Sequence, residues 1–115
     1  MINQGDIAWL DLNPQSGHEQ KGRRPVIVVS NSEFHLITGN KLAMVCPITN
    51  TGRANLLHVA LDKQTRTTGF IMCEQAKILD ITTRNYKFIE EVPITVLTKV
   101  LNRVQAISLP DVTTV

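Results

Sequence analysis

Apolar and polar residues alternate along residues 6–12, DIAWLDL, with Ile7 and Trp9 on one side and Ala8, Leu10 and Leu12 on the other. A period of two predicts a strand, and Asn13-Pro14 ends it with turn chemistry. The β-branched run at residues 25–30, PVIVVS, predicts a second, buried strand. Ser30 or Asn31 is placed to cap a short helical turn over residues 32–38, closed by Gly39. Residues 41–48 (KLAMVCPI), 56–61 (LLHVAL) and 68–75 (TGFIMCEQ) read as third, fourth and fifth strands, the third stopped near Pro47 and the fifth carrying Glu74 and Gln75 at its end. AKILDI, residues 76–81, continues the fifth strand or pairs as a sixth, and YKFIEE is a short last strand. Only after Pro93 does the period change. Ile94, Leu97, Val100, Leu101, Val104 and Ile107 recur at helical spacing, in a helix opened by Pro93 at its first position and ending near Leu109-Pro110. Many short strands and one late helix predict a mainly β fold, a small antiparallel barrel or sandwich with a C-terminal α-helix.

The chain has 115 residues, which suits a single domain over 1–115. Hydrophobic content is 43% but aromatic content only 4%, so the core must be built from Val, Ile and Leu. The net charge of +2 does not by itself call for nucleic acid. Cys46 and Cys73 lie in apolar runs without a CxxC or metal-ligand spacing, which predicts free core thiols and no metal or other cofactor. The start MINQGDIAWL lacks a basic leader, and no apolar run has the length of a membrane span; a cytoplasmic protein without membrane contact is expected.

Charge is concentrated in GHEQKGRRP, residues 17–25, where one histidine, one carboxylate, one lysine and two arginines stand between glycines and a proline. The following buried strand anchors the stretch, the usual arrangement of a functional loop.

The series GDIAWLDLNP from Gly5, then GHEQKGRRP, then VCPIT ending at Thr49, resembles the MazF/PemK family of toxin endoribonucleases of type II toxin–antitoxin systems. RTTGFIMCEQ, from Arg66 to Gln75, is most similar to the PemK (Kid) branch. The resemblance covers about Gly5 to Leu109. It implies an SH3-like small antiparallel barrel with a C-terminal helix, a homodimer, and metal-independent cleavage of single-stranded RNA such as mRNA, arresting growth. It also implies inhibition by a cognate antitoxin protein, with DNA reached only indirectly through the antitoxin complex.

RNA carries its own nucleophile, the 2′-hydroxyl, and attack by it leaves a 2′,3′-cyclic phosphate and a 5′-hydroxyl. The protein must then supply a base, a cation for the non-bridging oxygens and an acid for the leaving oxygen. Arg24 matches the family's catalytic arginine, and its planar, permanently charged fork suits phosphate. His18, of the residue type able to titrate near neutrality, provides with Glu19 the acid–base candidates; Glu19 can alternatively orient Arg24. Thr49 matches a threonine that helps bind the scissile phosphate, although a hydroxyl at a strand end is also an ordinary turn residue. Glu74 keeps a carboxylate where the PemK branch has aspartate, whereas Met72 replaces that branch's arginine. This departure favours a set of Glu19, Arg24 and Thr49. Lys21, Arg23, Asn50, Arg53 and Gln75 are assigned to RNA contact, with Arg23 pointing away from Arg24 if the segment is extended. His35 and His58 are read as structural. A rival on the same barrel is a CcdB-like poison that binds DNA gyrase without catalysis; a third reading is an inactive RNA-binding barrel.

Overall fold

The computed structural model describes residues 1–12 and 22–112. Strand β1 (Asp6–Asp11) pairs antiparallel with β2 (Arg23–Val28) on one edge and with β7 (Lys87–Glu91) on the other. β2 pairs in turn with the longest strand, β3 (Leu42–Thr49). Beyond β3 the sheet forks. The first half of β3, Leu42–Val45, pairs with β6 (Lys77–Asp80), while its last two residues, Ile48 and Thr49, pair with β5 (Phe70–Met72), which pairs with β4 (His58–Ala60). A single 3-10 turn, Cys73–Gln75, carries the chain from β5 to β6 along the same edge of β3. Pro47 falls in the gap between the two segments, where the missing N–H leaves no ladder bond unmade on that edge.

The closed barrel expected from the sequence does not form. The strand order is β4-β5-β3-β2-β1-β7, with β6 beside β3, and the end strands β4 and β7 do not pair. Between them runs the loop 62–69, tied to β7 by a side chain rather than by a ladder. Glu90 accepts hydrogen bonds from the Arg66 N–H (3.1 Å), the Thr67 N–H (2.8 Å) and the Thr67 hydroxyl (2.8 Å), and the Arg66 guanidinium donates to the Ile89 carbonyl at 2.9 Å. A loop in that space, with its N–H groups already taken by a carboxylate, offers no strand edge for closure.

Two apolar clusters lie on opposite faces of the strands. Ile27 and Val29 join Ile7, Ile48, Ile71 and the helix residues Val96, Leu97 and Val100; Val26 and Val28 join Leu10, Leu12, Val45 and Ile81. The period-two reading of β1 therefore holds. Helix α1 (Ser32–Ile37) is capped by Asn31, whose side chain accepts the Phe34 N–H at 3.0 Å. Helix α2 (Ile94–Ile107) follows Pro93, which is its N-cap rather than its first helical residue. Its buried face includes Val96, whereas Ile94 and Ile107, expected on that face, are 71% and 57% exposed. The buried residues of the helix, Val96, Leu97 and Val100, lie between those two ends.

Burial pushes the Glu90 carboxyl up, but the three hydrogen bonds from Thr67 and Arg66, with the Arg66 charge, outweigh it and hold the group below the usual range. Its stabilising contribution is therefore present above the ordinary carboxylate pKa and is lost as pH falls through the depressed folded value. Glu90→Ala is expected to cost about 1–2 kcal/mol at neutral pH. Thermal melts of both proteins should converge as pH is lowered below about 4; a gap that stays constant with pH would show that the charge is not what ties the loop.

Candidate functional site

β2 begins at Arg23, two residues before the strand expected from the sequence, so both arginines of the charged stretch sit on a paired strand rather than on a loop. Arg23 is in register with Asp11, and Arg24 with Leu10. Neighbours on a strand project to opposite faces. Arg23 shares its face with Pro25, Trp9 and Asp11; its guanidinium meets Asp11 Oδ1 at 3.2 Å and donates to the Asn85 carbonyl at 2.8 Å. This arginine locks the β1–β2 end to the turn before β7. Arg24, half-buried, lies on the face of Leu10 and Val26. The β2–β3 register runs Val26↔Pro47, Ile27↔Cys46, Val28↔Val45. Continued by two residues it sets Arg24 level with Thr49. The β2–β3 pairing itself stops at Val26↔Pro47, two residues short of both Arg24 and Thr49. His18, Glu19 and Lys21 lie outside the described residues.

Thr49 is 4% exposed. Its hydroxyl lies 3.0 Å from the Thr51 hydroxyl and accepts the Thr51 N–H at 3.2 Å, a local turn of the kind a strand-end threonine makes. Asn50 and Arg53 follow on an exposed segment, and Asn50 Oδ1 accepts from the Thr68 hydroxyl at 2.8 Å. A groove of about 300 Å³ opens here, lined among others by Trp9, Pro25, Asn50, Arg66, Thr68 and Ile89. Sequence reasoning missed Trp9 and Arg66 as lining residues. The signal for Trp9 was a large aromatic within an alternating strand, of which 38% remains exposed; Arg66 opens the RTTGFIMCEQ stretch, where it was given no role of its own.

Glu74 stands on the 3-10 turn after β5, not at the end of an eight-residue strand. Its Oε2 is 3.0 Å from His58 Nε2, with side-chain exposures of 35% and 18%. His58, read from sequence as structural, is therefore joined to a candidate site residue. Backbone register sets His58 opposite Met72. Met72 is 3% exposed, and the Gln75 amide donates toward its sulfur at 3.6 Å. Met72 is thus buried, with His58 opposite it and the Gln75 amide on its sulfur, and an arginine there would have to bury its charge. His35 is buried and pairs with the Ser30 hydroxyl at 2.7 Å, in keeping with a structural role.

Both thiols are buried and free. Burial pushes Cys73 up to about 11 and Cys46 higher, so neither is a thiolate nucleophile at neutral pH. Among the described residues no group of three His, Cys, Asp or Glu side chains could hold a metal ion, and no helix is long and apolar enough to cross a membrane.

A family model described as "PemK-like, MazF-like toxin of type II toxin-antitoxin system" matches residues 3–108. The chain is 37% identical over 110 residues to Endoribonuclease PemK of Escherichia coli, across 92% of this chain and 81% of that protein. Among solved structures, MazF (Form-I) from Deinococcus radiodurans superposes with a TM-score of 0.83 at 30% identity, covering 92% of this chain and 94% of that one. MazE-MazF (Form-II) from the same organism gives 0.77 at 30% identity with the same coverage.

The corner at Thr49–Asn50 depends on Gly69. A Cβ there would clash with the Thr49 carbonyl oxygen, and the backbone has φ +118°. Gly69→Ala is expected to destabilise the protein by roughly 2 kcal/mol or more, since clash and strain add. A melting temperature within a degree of the parent would show that the corner yields freely.

Proposed function

From the premise that the chain belongs to the PemK-like, MazF-like toxin family of type II toxin–antitoxin systems, we propose that it is an endoribonuclease toxin. It cleaves single-stranded RNA by attack of the 2′-hydroxyl on the adjacent phosphorus, leaving a 2′,3′-cyclic phosphate and a 5′-hydroxyl. The observation that carries this reading is the placement of Arg24. A permanently charged fork stands on a strand paired with β1, two residues before the last β2–β3 pair, as Thr49 stands two residues after it on β3. An arginine so fixed can meet phosphate oxygens without a further loss of loop entropy.

In this reading Arg24 steadies charge on the non-bridging oxygens as the phosphorus becomes five-coordinate. Thr49 shapes the corner beside the phosphate, its hydroxyl holding Thr51. Acid–base work falls to Glu19, His18 and Glu74; the first two join on sequence grounds. Asn50 and Arg53, on the exposed segment, with Lys21, Arg23 and Gln75, contact the RNA strand, and Arg23 does so at the edge of its ion pair with Asp11. The toxin acts as a homodimer and is neutralised by a cognate antitoxin. Support for the partner comes from the family's description and from the similar MazE-MazF structure. The gyrase-poison alternative draws nothing from these observations, because a binding poison has no use for a phosphate-directed arginine set beside a corner of this kind.

Incubation with a long single-stranded RNA in EDTA should give discrete fragments ending in cyclic phosphate. RNA left intact would overturn the reading. Arg24→Ala should lower the single-turnover rate by about 10²–10³-fold, comparable to removing one donor to a developing oxyanion. Arg24→Lys should recover only part of it, since a point charge cannot reproduce the bidentate fork. Near-normal cleavage by Arg24→Ala would remove Arg24 from the chemistry.

A further inference from the structure

The pair His58–Glu74 is built from both ends. Asn55 Oδ1 accepts the N–H groups of Leu57 (2.8 Å) and His58 (2.9 Å), and the Asn55 N–H donates to the His58 carbonyl at 3.3 Å. The neighbouring residues are joined directly: Cys73 N–H donates to the Leu57 carbonyl at 3.1 Å. From α2, Arg103 Nε donates to the Leu56 carbonyl at 3.1 Å. The backbone on either side of the two side chains is thus fixed before they meet at 3.0 Å.

The ring's other nitrogen decides the direction of that bond. His58 Nδ1 is buried and has no hydrogen-bond partner among the described residues. A proton there would be an unpaired buried donor, which is costly. The neutral ring therefore carries its proton on Nε2 and donates it to Glu74 Oε2, an assignment made from this network. Among the described residues no hydrogen bond to Oε1 is seen. Glu74 borders a cleft of about 260 Å³ with Gln75, Ala76 and Lys77. A carboxylate beside a lysine on a surface that takes a polyanion repels phosphate and attracts hydroxyl donors. The ribose 2′-hydroxyl is the donor that RNA has and DNA lacks.

We propose that His58 is a positioning residue: its Nε2–H···Oε2 hydrogen bond holds Glu74 so that the second carboxylate oxygen accepts the 2′-hydroxyl of bound RNA. This rests on the endoribonuclease reading and adds to it a residue that orients a reacting group without touching the substrate. One hydrogen bond to a carboxylate oxygen sets the scale of its effect.

The test uses the full chain in single-turnover cleavage of one short RNA, with melting temperature recorded for each variant. Glu74→Gln should lower the maximal rate about 10²-fold. His58→Ala should lower it about tenfold, the low end for one lost bond to a charged group, with half-saturating RNA concentration unchanged. His58→Gln, whose amide also donates, should recover most of that loss. In the Glu74→Gln background His58→Ala should cost nothing further, since the group it positions is gone. A wild-type rate for His58→Ala overturns the positioning role. So does a tenfold loss that persists in the Glu74→Gln background, or one that appears only in melting temperature and half-saturation. Absence of cleavage by the unaltered chain overturns the endoribonuclease reading and this inference together.

Discussion

The fold depends on how β3 shares its edge. Eight residues long, it holds β2 on one side and two successive partners, β6 and β5, on the other. Pro47 marks the handover, and the 3-10 turn Cys73–Gln75 is the hinge that lets one chain segment supply both partners. That turn is also where Glu74 stands. The geometry that forks the sheet therefore places a carboxylate at a corner, where its side chain is free of the in-and-out alternation of a strand and can reach His58 on β4.

Much of the fold was legible because it followed period. The alternation of β1, the buried run of β2 and β3, the Asn31 cap and the span of α2 all reflect local rules that the tertiary structure left intact. Closure was not legible. Whether a row of strands curls back on itself depends on which edges meet, and here the last gap is filled by the 62–69 loop held by Glu90, a contact between residues more than twenty positions apart. The start of β2 was misplaced for a related reason. Arg23 and Arg24 carry no strand signal of their own and become strand only because Asp11 and Leu10 stand opposite them.

The candidate site divides in the same way. The types of residue suited to phosphate chemistry could be picked from sequence and from the family resemblance, and Arg24 and Thr49 fall on the strands β2 and β3, which pair. What escaped were pairings across strands. His58 looks bland in LLHVAL because its partner is sixteen residues away, and Met72 looks exchangeable until its burial is seen. Thr49, chosen for its hydroxyl, proves to have that hydroxyl occupied by its own turn.

Arg23 and Arg24 show how much meaning a strand attaches to odd and even. One bridges Asp11 and the turn at Asn85; the other, a single residue on, belongs to the opposite surface. Sliding β2 by one residue against β1 would exchange the duties of two identical side chains and turn Val26 and Ile27 inside out at the same time. The buried valines and isoleucines downstream are thus what keeps the arginines from trading places. An insertion within β2 would reverse this parity for every residue beyond it, arginines and core alike.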